Sequence, residues 1–130
     1  MAEWDSKQYL KFEAERTQPA VDLANRIELT APERILDLGC GPGNSTGVLA
    51  RRFPGAHILG VDNSENMIAT AQRDYPELEF RLFDATSPLS ELGGSFDVVY
   101  SNACIQWVPD HPALLRRMMD ILAPGGVMAV

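Results

Sequence analysis

Residues 37–46 read DLGCGPGNST, preceded by Glu33-Arg-Ile-Leu36 and leading into Val48-Leu-Ala-Arg-Arg-Phe53. An apolar run ends here and a helical one begins. Gly39, Gly41 and Gly43 stand on alternate positions at that junction, the pattern of a backbone that approaches a ligand where a side chain would clash.

Outward from this loop, strand-like and helix-like segments alternate. Arg34–Asp37 reads as a strand, Asn44–Phe53 as a helix and His57–Asp62 as a second strand. Asn63 or Ser64 caps a helix running to Tyr75, with Met67, Ile68 and Ala71 on one face. Glu79–Phe83 forms a third strand ending at Asp84, and a short segment around Leu89 and Leu92 follows. Gly93-Gly94 turns into a fourth strand, Asp97–Ser101. Asp110 then caps a helix through Leu122, which Pro124-Gly125-Gly126 stops before a fifth strand opens at Val127. Such alternation predicts an α/β fold: a Rossmann-like three-layer αβα sandwich with a parallel sheet in the order 3-2-1-4-5. Apolar residues between 5 and 29, interrupted by Pro19, predict two short helices. Residues 1–30 are expected to form a helical cap, and 31–130 the ligand-binding domain.

A chain of 130 residues with near-average apolar and charged content is long enough for one real core. Its net charge of −7 argues against nucleic acid and anionic membrane as partners, and Arg51-Arg52 and Arg116-Arg117 read as solvated helix faces. No apolar run approaches the ~20 residues of a membrane span, and the amino terminus lacks a basic segment followed by an apolar one. A cytoplasmic setting follows as the expectation. Cys40 and Cys104 are far apart, and His57 and His111 stand alone, so no metal site is expected.

The charges near the glycines narrow the ligand. A dinucleotide fingerprint is GxGxxG, but Asn44 occupies the place of the third glycine. Asp37, at the end of the first strand, would repel a pyrophosphate. S-adenosylmethionine has no phosphate and carries an ammonium beside a sulfonium, which Asp37 and the Gly39 backbone would accommodate. Asp62 ends the second strand, where an acid commonly accepts ribose hydroxyls in nicotinamide and other nucleoside cofactors alike. Asp84, ending the third, would accept the adenine amino group while Met67 covers the ring; its bland reading is the start of a turn. The competing readings are a nicotinamide-dependent oxidoreductase and a non-catalytic cofactor-binding or dimerising fragment.

DLGCGPGNST, the acid in GVDNSENMI, FDATSP and FDVVYSNACIQWVPD together resemble the class I S-adenosylmethionine-dependent methyltransferases. WDSKQYLKFEAERTQPAVDL, GCGPGNST and SNACIQWVPDH are similar to the trans-aconitate-methylating branch of that family. The resemblance implies a cofactor site of Asp37, Gly39, Gly41, Gly43, Asp62, Asn63, Met67, Asp84, Ala85 and Asn102, with S-adenosylhomocysteine as product. It implies an acceptor site at Asn102, Trp107 and Arg16, the last within an amino-terminal segment that also carries Tyr9 and Phe12. A small carboxylic acid is the implied substrate, and no catalytic triad is expected. Family members continue to a seven-stranded sheet, whereas this sequence stops at Val130 inside an apolar strand. The expectation is therefore an amino-terminal portion, with a fifth strand open to self-association.

Overall fold

Five strands build the sheet: β1 (Arg34–Leu38), β2 (His57–Asp62), β3 (Glu79–Leu82), β4 (Phe96–Tyr100) and β5 (Leu122–Ala129). All adjacent pairs are parallel, in the order β3-β2-β1-β4-β5. The computed structural model describes residues 17–102 and 109–130. Within them, residues 17–25 form helix α1, followed along the chain by α2 (Asn44–Arg52), α3 (Glu65–Asp74) and α4 (His111–Asp120). Leu89–Leu92 adds one 3₁₀ turn.

The period-two alternation of β1 divides the core. Leu36 and Leu38 point to the side where Leu59, Val61 and Val99 meet Leu89, Leu114, Met118 and Ile121. Ile35 faces the other side, with Ile58, Val98 and Tyr100 packed against Ala20, Ala24 and Ile27 of the amino-terminal segment and Val48 and Leu49 of α2. Both faces of the central strands are covered, which is why they read as almost continuous apolar runs.

Two boundaries differ from expectation. The helical stretch 17–25 runs through Pro19; a proline forfeits one donor, and the buried Ala20 and Ala24 anchor the turns that follow. At the other end α4 stops at Asp120, and Leu122 already pairs with Phe96. Pairing then jumps to Val98↔Val127, so Pro124-Gly125-Gly126 forms an outward irregularity within β5 instead of a helix stop before it. Gly125, at φ 79, supplies the left-handed backbone that this excursion needs.

The amino ends of β1 and β4 are clasped by one arginine and one aspartate. Arg34 donates to the carbonyls of Ser95 (2.8 Å) and Gly93 (3.1 Å) and lies 4.4 Å above the Phe96 ring. Asp97 Oδ2 accepts from the backbone N–H groups of Glu33 (2.8 Å) and Arg34 (3.1 Å). With that end closed, the carboxyl ends of the strands are left to the glycine loop.

Packing also explains one of the loop's glycines. Gly43 caps α2 at φ 100, and a Cβ there would lie 2.8 Å from Cδ2 of Tyr75, the residue that ends α3. Gly47, one turn on, faces the same ring at 2.8 Å. Gly43 thus lets two helices close up, the same kind of service that the third glycine of a dinucleotide fingerprint performs. Gly43→Ala is expected to cost about 2–3 kcal/mol in urea denaturation, from backbone strain plus overpacking. Adding Tyr75→Ala should relieve the overpacking share, leaving the double variant more stable than the sum of the two single changes; strict additivity would show that the ring is not what the glycine makes room for.

Candidate functional site

A cleft of about 390 Å³ opens at the carboxyl ends of β1, β2 and β3, within the size range of sites for small organic ligands. Gly39, Gly41 and Pro42 form one wall, Asp62, Asn63 and Met67 the second, and Phe83 to Thr86 the third, with Leu38, Val61 and Pro109 completing it. The position is the one that open parallel sheets reserve for ligands.

Each wall is built by short-range bonding. Gly39 and Cys40 donate their backbone N–H groups to the Val61 carbonyl (2.8 and 2.9 Å), so the loop folds back across the end of β2. Asp62 then ties three pieces together. Its Oδ2 accepts from the Gly41 N–H at 3.0 Å, and its Oδ1 from the Ser64 N–H at 2.9 Å. Ser64, in turn, caps α3 by accepting from the Met67 N–H. A carboxylate offers about four lone-pair sites, so Asp62 retains acceptor capacity toward the cleft. Gly41, at φ 57, has open space where a Cβ would stand, so the loop presents bare backbone to any ligand.

The third wall turns on Asp84, whose Oδ1 accepts from the backbone N–H and the hydroxyl of Thr86 at 2.9 and 2.8 Å. These bonds hold the exposed carboxyl below the usual carboxylate range, the backbone bond contributing most. Both readings of Asp84 therefore hold at once: it starts a turn with one oxygen, and it lines the cleft. Arg117 of α4 donates to the Ala85 carbonyl at 2.8 Å, where the sequence reading placed the Arg116-Arg117 pair on a solvated face. Only Arg116 of the two is exposed.

Several expected site residues sit elsewhere. Asp37 does not line the cleft. It is fully buried beneath the loop, where Oδ2 accepts from the hydroxyls of Ser45 and Thr46, each at 2.7 Å, while Oδ1 has no partner among the described residues. Burial pushes its carboxyl up from 3.8 to about 6; the two hydroxyls pull the other way, and the Asp62 charge adds to the rise. Its charge also helps burial hold the Tyr100 hydroxyl well above the usual phenol range. Gly43 belongs to the α2–Tyr75 packing described above. Asn102, half-buried just past β4, is not among the lining residues. Trp107, Arg16, Tyr9 and Phe12 lie outside the described residues. Phe83, Thr86 and Pro109 were missed by the sequence reading, although FDATSP, quoted for Asp84, already contained the first two.

Among the described residues no His, Cys, Asp and Glu group of three or more could hold a metal ion. No helix among them is long and apolar enough to cross a membrane.

Comparison with known proteins sharpens the chemistry. Residues 35–126 match the methyltransferase domain family. The whole chain is 48% identical to a trans-aconitate 2-methyltransferase of Methylobacterium radiotolerans and 51% identical to one of Methylobacterium nodulans, covering 49% and 50% of those proteins. The chain thus spans about half the length of the curated relatives it matches. Among solved structures, CalS10, an SAM-bound amino pentose methyltransferase from Micromonospora echinaspora, superposes with a TM-score of 0.77 at 26% identity, over 98% of this chain and 56% of that one. DesVI of Streptomyces venezuelae has the same fold, with a TM-score of 0.75 at 23% identity over 98% of this chain and 57% of that one.

The buried Asp37 makes a prediction about pH. Its folded value, about 6, lies above the ordinary 3.8, so the folded chain holds this proton more tightly than the unfolded chain. The contribution is therefore most favourable in acid, is lost as pH rises from about 4 to about 6, and stays lost above that. Asp37→Asn keeps an acceptor for Ser45 and Thr46 and does not ionise. In urea denaturation, the stability of the variant relative to the parent should climb by on the order of 2–3 kcal/mol across that window and then level off. A difference that is flat in pH would mean that Asp37 ionises as easily in the folded chain as in the unfolded one.

Proposed function

The chain belongs to the methyltransferase domain family, and from that premise we propose that it binds S-adenosylmethionine in the β1–β3 cleft and serves methyl transfer to a small carboxylic acid. One observation carries the cofactor reading. Among the described residues lining the cleft, the ionisable groups are two carboxylates, Asp62 and Asp84, set beside bare glycine backbone. No lysine, arginine or histidine among those lining residues would neutralise a pyrophosphate, and S-adenosylmethionine, which carries no phosphate, needs none. This disfavours the nicotinamide reading.

The residues present fit such a ligand. Asp62, its two oxygens fixed by the Gly41 and Ser64 amides, is proposed to accept ribose hydroxyls with its remaining lone pairs. Asp84 and the Ala85 backbone, which line the cleft with Met67 and Phe83, are proposed to read the nucleobase under the apolar cover of those two side chains. Met67 is 41% exposed, as a side chain awaiting a partner surface would be. Gly39 and Gly41 leave room for the amino-acid end. When bound, S-adenosylmethionine supplies a methyl group on a cationic sulfur. The chain's own work is orientation and exclusion of water, and a carboxylate acceptor, ionised near neutral pH, needs no general base.

The acceptor reading is supported by relatives named for trans-aconitate at 48% and 51% identity over the full chain. Asn102, half-buried after β4, together with Trp107 and Arg16, is proposed to line the acceptor site. Residues 1–16, outside the described part, are proposed to complete a cap over the cofactor. The outer edge of β5 is proposed as the seat of any self-association, through Val127–Ala129, the stretch in regular register with β4.

Calorimetry with S-adenosylhomocysteine and with NADH tests the cofactor. Saturable heat is expected with the first and none with the second, and Asp62→Ala should weaken binding at least roughly tenfold, the loss of a charge-assisted pair of hydrogen bonds. Absence of heat with S-adenosylhomocysteine, or binding indifferent to Asp62→Ala, would falsify the assignment.

A further inference from the structure

Resting on the cofactor reading above, we propose that Arg117 is a positioning residue for nucleobase recognition: by gripping the Ala85 carbonyl from α4, it sets how the Asp84–Thr86 turn is presented to the cleft. The turn's internal bonds, Thr86 to the Asp84 carboxylate and the Ser87 N–H to the Asp84 carbonyl (2.9 Å), define its shape. Its root is fixed at Phe83, whose N–H donates to the Asp62 carbonyl at 2.9 Å, but these bonds do not define how the residues beyond it are presented. Asp84 and Thr86 are exposed, and β3 is an edge strand of only four residues. The 2.8 Å bond from Arg117 Nη2 crosses from α4 to the middle residue of the turn and ties it to the body of the protein.

The burial of Arg117 supports this role. Its Nε is buried without a partner among the described residues, an arrangement that pure packing does not favour, since an unbranched apolar side chain would fill the space with no unsatisfied donor. The guanidinium contributes through what it holds. Its charge also adds to the Thr86 bonds that keep Asp84 ionised. At the other end of the same helix, Asp110 caps α4 by accepting from the Ala113 N–H at 3.2 Å, and Pro109 beside it lines the cleft. α4 is therefore tied to the site at two points, through Pro109 just ahead of its cap and through the Arg117 bond to Ala85, and would transmit its own placement to the turn.

A merely structural arginine and a positioning one differ in what they do to nucleobase preference. The test compares S-adenosylhomocysteine with S-inosylhomocysteine, which lacks the exocyclic amine, by calorimetry on the parent and on Arg117→Met and Arg117→Lys. The parent should prefer the adenine compound. Arg117→Met should weaken it roughly tenfold, the scale of one hydrogen bond from a charged donor, while changing the inosine compound little, so that the preference collapses; Arg117→Lys should restore part of it. Equal weakening of both compounds, or no change in either, overturns the proposal. Should Arg117→Met fail to fold in a thermal scan, Arg117→Lys carries the test, with a preference reduced several-fold as the supporting outcome and an unchanged one as the overturning outcome. A parent that binds neither compound defeats the cofactor reading itself, and this inference with it.

Discussion

The carboxylate of Asp62 is the joint on which the site depends. It ends β2, yet its oxygens are engaged by the backbone of two other elements, Gly41 of the glycine loop and Ser64 at the head of α3. A loop with left-handed backbone at Gly39, Gly41 and Gly43 has little conformational preference of its own. A charge-assisted bond to a strand end gives it one position, and the same carboxylate starts the next helix. Remove the acid and the loop, the strand end and the helix head lose their common reference.

Beneath that joint lies a second acid with the opposite surroundings. Asp37 is shut away from the cleft, and its hydroxyl partners come from the first turn of α2, so strand, loop and helix are linked from below as well as from above. Gly60 continues the theme: it faces Asp37 across the β1–β2 ladder, and a Cβ there would meet the Phe80 ring at 2.8 Å. Small residues at the centre of this face let α2 and an aromatic of β3 come close.

How much of this was legible in sequence depended on how local each cause was. The strands, their order and the glycine loop follow from short-range patterns, and except for the start of β5 they stand within about one residue of where those patterns put them. The role of Gly43 did not follow, because its partner, Tyr75, is brought to it only by the folding of α3. Asp37 and Asp62 are the same residue type at the same kind of place, a strand end. Which one lines the cleft is decided by the α2 hydroxyls, whose reach cannot be read from spacing. The apolar stripe of α4 ran on through its cap residue Ile121 into Leu122 because the first residue of β5 is apolar too. Arg117 looked like its neighbour Arg116, and only the position of the Ala85 carbonyl tells them apart.

The bracing of Asp62 has a consequence for turnover. Its amide partners belong to the chain itself, so this part of the cleft stands ready before anything enters it, and little loop ordering would oppose binding. On the proposed reading, fresh and used cofactor carry the same ribose and the same base, and a pocket fixed in this way must grip both alike. Discrimination between them then falls to the sulfur end, where one carries a positive charge and the other does not. The departure of used cofactor, held by the same preformed walls, becomes a natural brake on the cycle.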